Sequence, residues 1–230
     1  MTDVEKSSLE TSSRTRLLWL LPLVLLFLAL GWIGGEGFAP DVAVIDRLAA
    51  WRHASPGLTS AVIAITWLGS AYVTLGASAV VVAWLLWRRH KQTGLMLFAT
   101  LAIERLLGDG IKLLYDRARP AVDLHPVATN SSSYPSGHAA NSMTAFVALA
   151  LLAAPARYRG PALAVAIPIA ILVGLSRPFL GVHWLSDTFG GWTLAAMVLL
   201  TLSLFAPRAL AADEAQHEVV GRHPDPAIEG

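Results

Sequence analysis

Three short clusters of polar residues stand in a sequence that is otherwise dominated by aliphatic side chains. The candidate residues within them supply three cationic side chains, two histidines, one carboxylate and a helix start fronted by glycine. Ammonium and guanidinium groups suit phosphoryl oxygens, the first as a point charge and the second as a planar fork. We therefore predict a phosphate-binding site. The candidate residues are Lys112 and Arg119 in the first cluster (112–120), Ser136, Gly137 and His138 in the second (135–138), and Arg177, His183 and Asp187 in the third (176–187).

The third cluster places a histidine four residues before an aspartate. On a helix, His183 and Asp187 would share one face, so the carboxylate can hold the imidazole in one tautomer and stabilise its charged form. The other ring nitrogen is then a nucleophile toward phosphorus, as in the base-and-orienter arrangement of hydrolytic triads. The structural alternative is a simple helix cap, and the nearby Arg177 favours the catalytic interpretation.

The second cluster precedes the apolar stretch 139–154. Ser136 is predicted as the N-cap of this helix and Gly137 as part of its first turn, where unpaired backbone N–H groups bind anions. Glycine lets these donors approach a phosphate closely, and His138 at the same helix end can donate a proton to a leaving alkoxide. A serine and a glycine at a helix start are common, so the argument depends on the histidine.

The first cluster lies at the end of an apolar segment. An ammonium at Lys112 and a guanidinium at Arg119 predict phosphoryl binding. Basic residues that extend from a helix end toward the membrane surface are the structural alternative. We assign that alternative to Arg117 and expect its replacement by alanine to have a mild effect.

Histidine and carboxylate side chains also bind metals. Three fixed cations at the same place would repel a divalent ion while they perform its charge-neutralising role. The sequence therefore predicts chemistry that needs no metal and no other cofactor. It contains no cysteine, which excludes disulfides and thiolate catalysis.

The elements that must position these residues are membrane helices. The chain is 55% hydrophobic and 14% charged, against about 25% charged in ordinary soluble domains. Its net charge of +1 argues against nucleic acid as a partner. We predict an all-α, polytopic membrane bundle of about six transmembrane helices. The predicted segments are 17–34, 60–69 running on through 72–87, 93–114, 137–154, 160–176 and 184–205.

Polar tails flank the apolar segments. We predict a cytoplasmic N-terminal tail over residues 1–16 and a membrane-embedded domain over 17–206. The polar residues 207–230 are predicted to form a disordered cytoplasmic tail.

Two segments allow more than one interpretation. The stretch 58–87 is long for one span, and Gly69-Ser70 is a candidate break between a short interfacial helix and a true span. Residues 41–51 show a helical stripe of apolar residues, which fits a helix on the membrane surface or a solvated connection.

Charged residues also occur inside the third long span, where charge is costly. Glu104, Arg105 and Asp109 lie there, and Arg105 and Asp109 have the spacing of a pair within one helix. We predict a buried structural pair rather than a proton path.

The orientation follows from the lysines and arginines outside the clusters. With six spans, four basic groups fall on one face, which is predicted to be cytoplasmic. The active site then lies at the extracytoplasmic ends of the helices of a multi-pass protein in the cell membrane. The basic residues are Lys6, Arg14, Arg16, Arg88, Arg89, Lys91, Arg157, Arg159 and Arg208.

The three clusters read K-x6-RP, PSGH and SR-x5-H-x3-D. This set resembles the signature motifs of the type 2 phosphatidic acid phosphatase superfamily, and every motif position matches. The resemblance implies that His183 attacks phosphorus to form a phosphohistidine, that Asp187 orients it, and that His138 protonates the leaving group and then activates water. It implies that the phosphoryl oxygens are held by Lys112, Arg119, Ser136, Gly137 and Arg177.

The resemblance implies an integral membrane lipid phosphatase whose substrate is a lipid phosphate or an isoprenoid diphosphate. Undecaprenyl diphosphate is favoured, while phosphatidic acid and phosphatidylglycerol phosphate stay open because the motifs recognise phosphoryl groups and not tails. Two other classes also stay open. A phosphotransferase would pass the phosphoryl group to an alcohol, and a non-catalytic protein would bind or translocate lipid. The sequence predicts no oligomeric state.

Overall fold

Helices make up the regular structure in a computed structural model of the chain, which describes the backbone of residues 3–121, 127 and 131–221 and the side chains of 17–121, 127 and 131–206. Over these residues there are eight α-helices, one short 3₁₀ turn and no strand. The predicted all-α class is confirmed. The helices are α1 (Asp3–Ile33), α2 (Ala39–Ala54), α3 (Pro56–Trp67), α4 (Ala71–Trp87), α5 (Lys91–Tyr115), α6 (Gly137–Leu152), α7 (Arg159–Phe179) and α8 (Leu185–Gly221), with the 3₁₀ turn at Ala156–Tyr158.

The apolar segments suit a lipid environment. Among the described residues, three helical stretches are long and apolar enough to cross a membrane, namely Pro56–Trp87, Ala156–Phe179 and Leu185–Ala206. Leu17–Ile33 and Gly137–Leu152 are shorter apolar helices, and α5 carries charged residues along its length. Large apolar side chains such as Leu18 and Trp32 are exposed on the protein surface, as expected where lipid replaces water. The six predicted segments thus coincide with helices, and the count of six spans stays a prediction.

The predicted break at Gly69-Ser70 is confirmed. Helix α3 ends at Trp67 and α4 begins at Ala71, with the Ser70 hydroxyl accepting a hydrogen bond from Val73 N at 3.3 Å. A Cβ at Gly69 would lie 2.2 Å from Val173 Cγ1. Glycine therefore allows the bare backbone of the break to pack directly against α7.

The stripe predicted over residues 41–51 forms helix α2, which packs against α7 and α8. Asp41, Ile45 and Arg52 are buried. Arg52 Nη1 donates to Phe179 O at 2.6 Å, at the end of α7. Helix α2 is therefore docked onto the bundle through polar as well as apolar contacts.

The prediction of a disordered tail over residues 207–230 is wrong for residues 207–221, because the backbone of α8 remains helical to Gly221. This segment contains four alanines and two glutamates, which have high helix propensity. Residues 222–230 lie outside the described residues. Helix α1 likewise begins at Asp3, within the predicted N-terminal tail.

Helix α6 is the centre of the bundle and packs against α4, α5, α7 and α8. Its buried face carries small residues such as Ala140, Ala145 and Ala148, which let neighbouring helices approach closely. At its start, a Cβ at Gly191 of α8 would lie 2.5 Å from Ser136 O. A glycine is required there because the second cluster rests directly on α8.

Candidate active site

The structure brings all three clusters to one end of the bundle. A cavity of about 170 Å³ opens there, between the start of α6 and the loop that joins α7 to α8. Six of the eight predicted site residues line it, and Ser136 and Asp187 lie buried beside it. The lining residues are Ala71, Arg105, Lys112, Arg119, Ser131, Gly137, His138, Asn141, Arg177 and His183.

His183 Nε2 faces this cavity beside Arg119. Arg119 Nη1 lies 3.1 Å from Nε2 and donates to Val182 O at 2.6 Å, while its Nε donates to Ser131 O at 2.9 Å. Burial is the main cause that holds the pKa of His183 well below its ordinary value, and the neighbouring cations Arg119, Arg177 and Lys112 add to it. The imidazole is therefore neutral near pH 7, with a lone pair that can act as a nucleophile.

The opposite ring nitrogen of His183 faces Asp187. Nδ1 lies 3.4 Å from Asp187 Oδ2 and 3.4 Å from Ser133 Oγ. Arg119 Nη1 is a donor and faces Nε2, so Nε2 carries the lone pair. The proton of the neutral ring therefore lies on Nδ1, toward Asp187 and Ser133. The predicted pairing of His183 with Asp187 is therefore present.

The helical setting predicted for this pair is wrong. His183 lies in the turn before α8, and Asp187 lies in the first turn of that helix. Asp187 Oδ2 accepts from Trp184 N at 2.8 Å, so the carboxylate caps the helix start. The cap and the contact with His183 are made by the same side chain. The structural interpretation is therefore confirmed, and the catalytic one stays a prediction.

Arg117 is the residue that the sequence analysis misjudged. Its Nη1 forms a salt bridge with Asp187 Oδ1 at 2.8 Å and contacts Ser186 Oγ at 3.1 Å. Its Nη2 donates to Leu30 O at 2.8 Å and to Gly31 O, at the end of α1. The guanidinium is buried rather than extended toward the membrane surface, because two distant parts of the chain offer it acceptors.

Ser133 and Asp41 complete this network, and neither was predicted. Ser133 Oγ donates to Asp187 Oδ2. Asp41 accepts from Ser186 N through Oδ1 at 2.8 Å and from Gly35 N through Oδ2 at 2.8 Å. The carboxylate beside His183 is therefore anchored, through Arg117 and Ser186, to α1 and α2.

The cavity side carries hydrogen-bonding groups without protein partners. Within the described part of the chain, Arg177 Nε and Ser136 Oγ are buried and have no hydrogen-bond partner, although Arg177 Nη1 donates to Thr66 Oγ1 at 2.9 Å. Ser136 occupies the predicted N-cap position, but its side chain makes no capping bond, which corrects the prediction. Buried polar groups left unpaired are costly. A ligand with several acceptor oxygens would satisfy them.

Lys112 and Gly137 are neighbours on the same wall. Lys112 Nζ lies 3.4 Å from Ser131 Oγ, and a Cβ at Gly137 would lie 3.4 Å from the same Nζ. The first turn of α6 therefore stays open to the ammonium. Its N-terminal N–H groups add to the positive potential of the cavity.

The predicted pair of Arg105 and Asp109 forms, with Nε 2.7 Å from Oδ2, but it is not buried. The two side chains are 41% and 51% exposed. Glu104, the adjacent carboxylate, is buried. Arg105 also lines the cavity.

No group of three or more histidine, aspartate or glutamate side chains comes together as metal ligands among the residues that the structure describes. The charged side chains that line the cavity, Arg105, Lys112, Arg119 and Arg177, are instead all cationic, which suits an anion.

Comparisons with known proteins agree with this geometry. The model of the family described as "PAP2 superfamily" matches residues 93–210. Phosphatidylglycerophosphatase B of Bacillus subtilis is 30% identical over 156 residues, which cover 65% of this chain and 76% of that protein. Undecaprenyl-diphosphatase of Sulfolobus acidocaldarius is 27% identical over 187 residues, which cover 78% and 86% of the two chains.

Solved structures give the same result for the fold. A transmembrane PAP2 type phosphatidylglycerolphosphate phosphatase from Bacillus subtilis matches with a TM-score of 0.74 at 28% identity, covering 82% of this chain and 96% of that one. Aquifex aeolicus LpxE matches with a TM-score of 0.57 at 24% identity, covering 73% and 96%, and shares the fold.

Proposed function

This chain belongs to the PAP2 superfamily of membrane phosphatases, and from that premise we propose that it hydrolyses a lipid phosphate or diphosphate at the extracytoplasmic surface through a phosphohistidine. One observation carries the proposal. His183 presents a neutral Nε2 to a cavity that it shares with Lys112, Arg119 and Arg177, while its Nδ1 faces a carboxylate. This arrangement supplies a nucleophile and the charge that a phosphoryl group requires.

In the first step, His183 Nε2 attacks phosphorus and the bond from phosphorus to the leaving oxygen breaks. Protonated His138 gives its proton to that oxygen, and the lipid alcohol or lipid monophosphate departs. Asp187 stabilises the charge that develops on the imidazole.

In the second step, water attacks the phosphohistidine and His138 accepts a proton from it. The phosphorus–nitrogen bond breaks, and inorganic phosphate leaves. In both steps the negative charge that develops on the phosphoryl oxygens is opposed by fixed donors. We assign this role to Lys112, Arg119, Arg177, Ser136 and the Gly137 backbone.

We propose that the reaction needs no metal ion. Three fixed cations at the cavity would perform the neutralising role that a divalent ion has in other phosphatases. The prediction is tested directly by a chelator.

The orientation is also a proposal. Helices α4 and α6 end, and α5 and α7 begin, at the end of the bundle opposite the cavity. The basic residues Arg88, Arg89 and Arg157 lie at these connections. Because such residues favour the cytoplasmic side, the cavity would face the extracytoplasmic side of the cell membrane.

The test is phosphate release by the purified protein in detergent, with undecaprenyl diphosphate and phosphatidic acid in parallel and with a chelator present. His183→Ala is expected to abolish release. His53→Ala, which changes an exposed histidine of α2, is the matched control and is expected to keep it.

The intermediate is tested by trapping with a radiolabelled lipid phosphate. Acid-labile label on the wild-type protein, and none on His183→Ala, is the expected result. Label that persists without His183 would overturn the assignment of the nucleophile. Release only in the presence of an added alcohol would identify a phosphotransferase, and lipid binding without release would identify a non-catalytic protein.

A further inference from the structure

Arg105 is a fourth cation at the cavity, and the proposed mechanism does not use it. It lies seven residues before Lys112 on α5, which places both side chains on one face of the helix, about 10 Å apart along the axis. Asp109 lies between them and pairs with Arg105. This face therefore carries a polar stripe that runs from the catalytic end into the bundle.

An apolar groove of about 560 Å³ between α4 and α5 begins where this stripe ends. Arg105 lines both the groove and the catalytic cavity. On α4, Ala71 lines the cavity and Leu75, one turn further on, lines the groove. Arg105 thus marks the junction between a cationic chamber and an apolar channel on the membrane side.

Arg105 and Asp109 are partly exposed although they lie well inside α5, and this exposure indicates what surrounds them. Arg105 and Asp109 are 41% and 51% exposed, and ionised groups inside a span are costly where they face lipid tails. A junction at which a headgroup meets the protein is a place where such groups can stay solvated or paired. Asp109 engages Arg105 through Nε, one of the five N–H donors of a guanidinium.

We infer that Arg105 binds the leaving-group phosphate of a lipid diphosphate and so favours diphosphates over monophosphates. The inference rests on the proposed function. When His183 attacks the terminal phosphorus, the leaving group lies between that phosphorus and the tail. For a lipid whose tail occupies the groove between α4 and α5, that is the junction that Arg105 lines. From a diphosphate the leaving group is a phosphate monoester that gains negative charge, whereas from a monophosphate it is an alcohol.

A guanidinium stabilises the first of these leaving groups through charge-assisted hydrogen bonds. The guanidinium stabilises an alcohol leaving group much less, because the alcohol oxygen takes a proton from His138. Asp109 offsets part of the charge of Arg105. It therefore lowers the preference for diphosphates that Arg105 raises. The pair is therefore a specificity determinant and not a part of the phosphoryl-transfer machinery.

The experiment compares diacylglycerol diphosphate with phosphatidic acid, which share a tail and differ by one phosphate. The quantity measured is the ratio of kcat/KM for the diphosphate to that for the monophosphate. Arg105→Gln is expected to lower this ratio about ten-fold or more, as for the loss of a hydrogen bond to a charged group. Arg105→Lys, which keeps the charge and loses the fork, is expected to restore part of it.

Asp109→Asn separates a ligand role from a structural one. If Arg105 binds the ligand, Asp109→Asn raises the ratio, because the guanidinium loses its competitor. If the pair only stabilises α5, Asp109→Asn and Arg105→Gln lower both activities alike and leave the ratio constant, which would overturn the inference. Arg88→Gln, at the opposite end of the bundle, is the matched control for loss of an arginine charge.

Wild-type activity on phosphatidic acid keeps the two proposals distinct. A constant ratio in Arg105→Gln with phosphate release intact would overturn the role of Arg105 alone. Failure of the wild type to release phosphate from either lipid would instead overturn the proposed function.

Discussion

The two ring nitrogens of His183 face environments of opposite kinds. On the Nδ1 side, Asp187 accepts from Ser133, Trp184 and Arg117, and Arg117 is held in turn by carbonyls of α1. On the Nε2 side, buried donors and hydroxyls remain without protein partners among the described residues, as at Arg177 Nε and Ser136 Oγ. One side is completed by the fold, and the other is arranged for a ligand.

The difference separates stability from activity. A buried charge that is paired and hydrogen-bonded is destabilising to break, because the remaining partner is left uncompensated. A buried donor that has no partner destabilises the folded state, and its interaction becomes favourable only when an acceptor arrives. Substitutions on the Nδ1 side should therefore unfold the protein, and those on the Nε2 side should slow the reaction.

The largest effect is expected for Arg117→Met, which keeps the apolar stem and removes the partner of Asp187. The free energy of unfolding should fall by about 3–5 kcal/mol. Denaturation in a mild nonionic detergent measures it. A loss of unfolding free energy below about 1 kcal/mol, the range of ordinary surface changes, would instead support the surface role that the sequence analysis assigned to Arg117.

Arg177→Met is the counterpart on the Nε2 side. It removes a guanidinium from the cavity, and kcat should fall by about 100- to 1,000-fold because transition-state charge loses a fixed donor. The free energy of unfolding should change less than in Arg117→Met. Equal losses of unfolding free energy in the two variants would show that the Nδ1 and Nε2 sides of His183 do not differ in their contribution to stability.

A smaller effect is expected from acidification. The folded-state pKa of His183 is lowered, so below the unfolded pKa of about 6.5 the unfolded chain takes up a proton that the folded chain does not. Stability is therefore complete above that pH and is lost as the pH falls. At pH 5.5 the loss from this one group should be on the order of 1 kcal/mol.

His183→Gln isolates this contribution. Unfolding is compared at pH 7.5 and pH 5.5 in wild type and variant, and the wild type should lose more. If both proteins lose the same free energy, the imidazole is not held neutral by its surroundings.

The smallest effect is expected for Ser136→Ala. Its hydroxyl makes no capping bond and has no partner in the described part of the chain, so removal should raise the free energy of unfolding by up to about 1 kcal/mol. Phosphate release should slow by less than about ten-fold. A clear loss of stability would place a structural hydrogen bond at this hydroxyl.

The sequence predicts the helices well because each apolar run is long, and it predicts His183 and Asp187 because they are close in the chain. The contacts of Arg117 could not be predicted from the sequence, because its partners lie 70 residues later, at Asp187, and more than 80 residues earlier, at Gly31. Contacts between segments this far apart leave no periodic signal in either segment. The sequence correctly predicts Ser136 at the N-cap position, but it does not reveal that the hydroxyl makes no capping bond.

Asp187 is held by Ser133, which precedes α6, and by Arg117, which is itself held by Gly31 O at the end of α1. A polytopic protein is synthesised from its N-terminus, so Arg117 emerges well before the aspartate that it pairs with. Until α8 is inserted, α1 has an arginine to satisfy its last carbonyls, but the nucleophile and its carboxylate are missing. The site is therefore completed only after α8 has been inserted and has packed against α1.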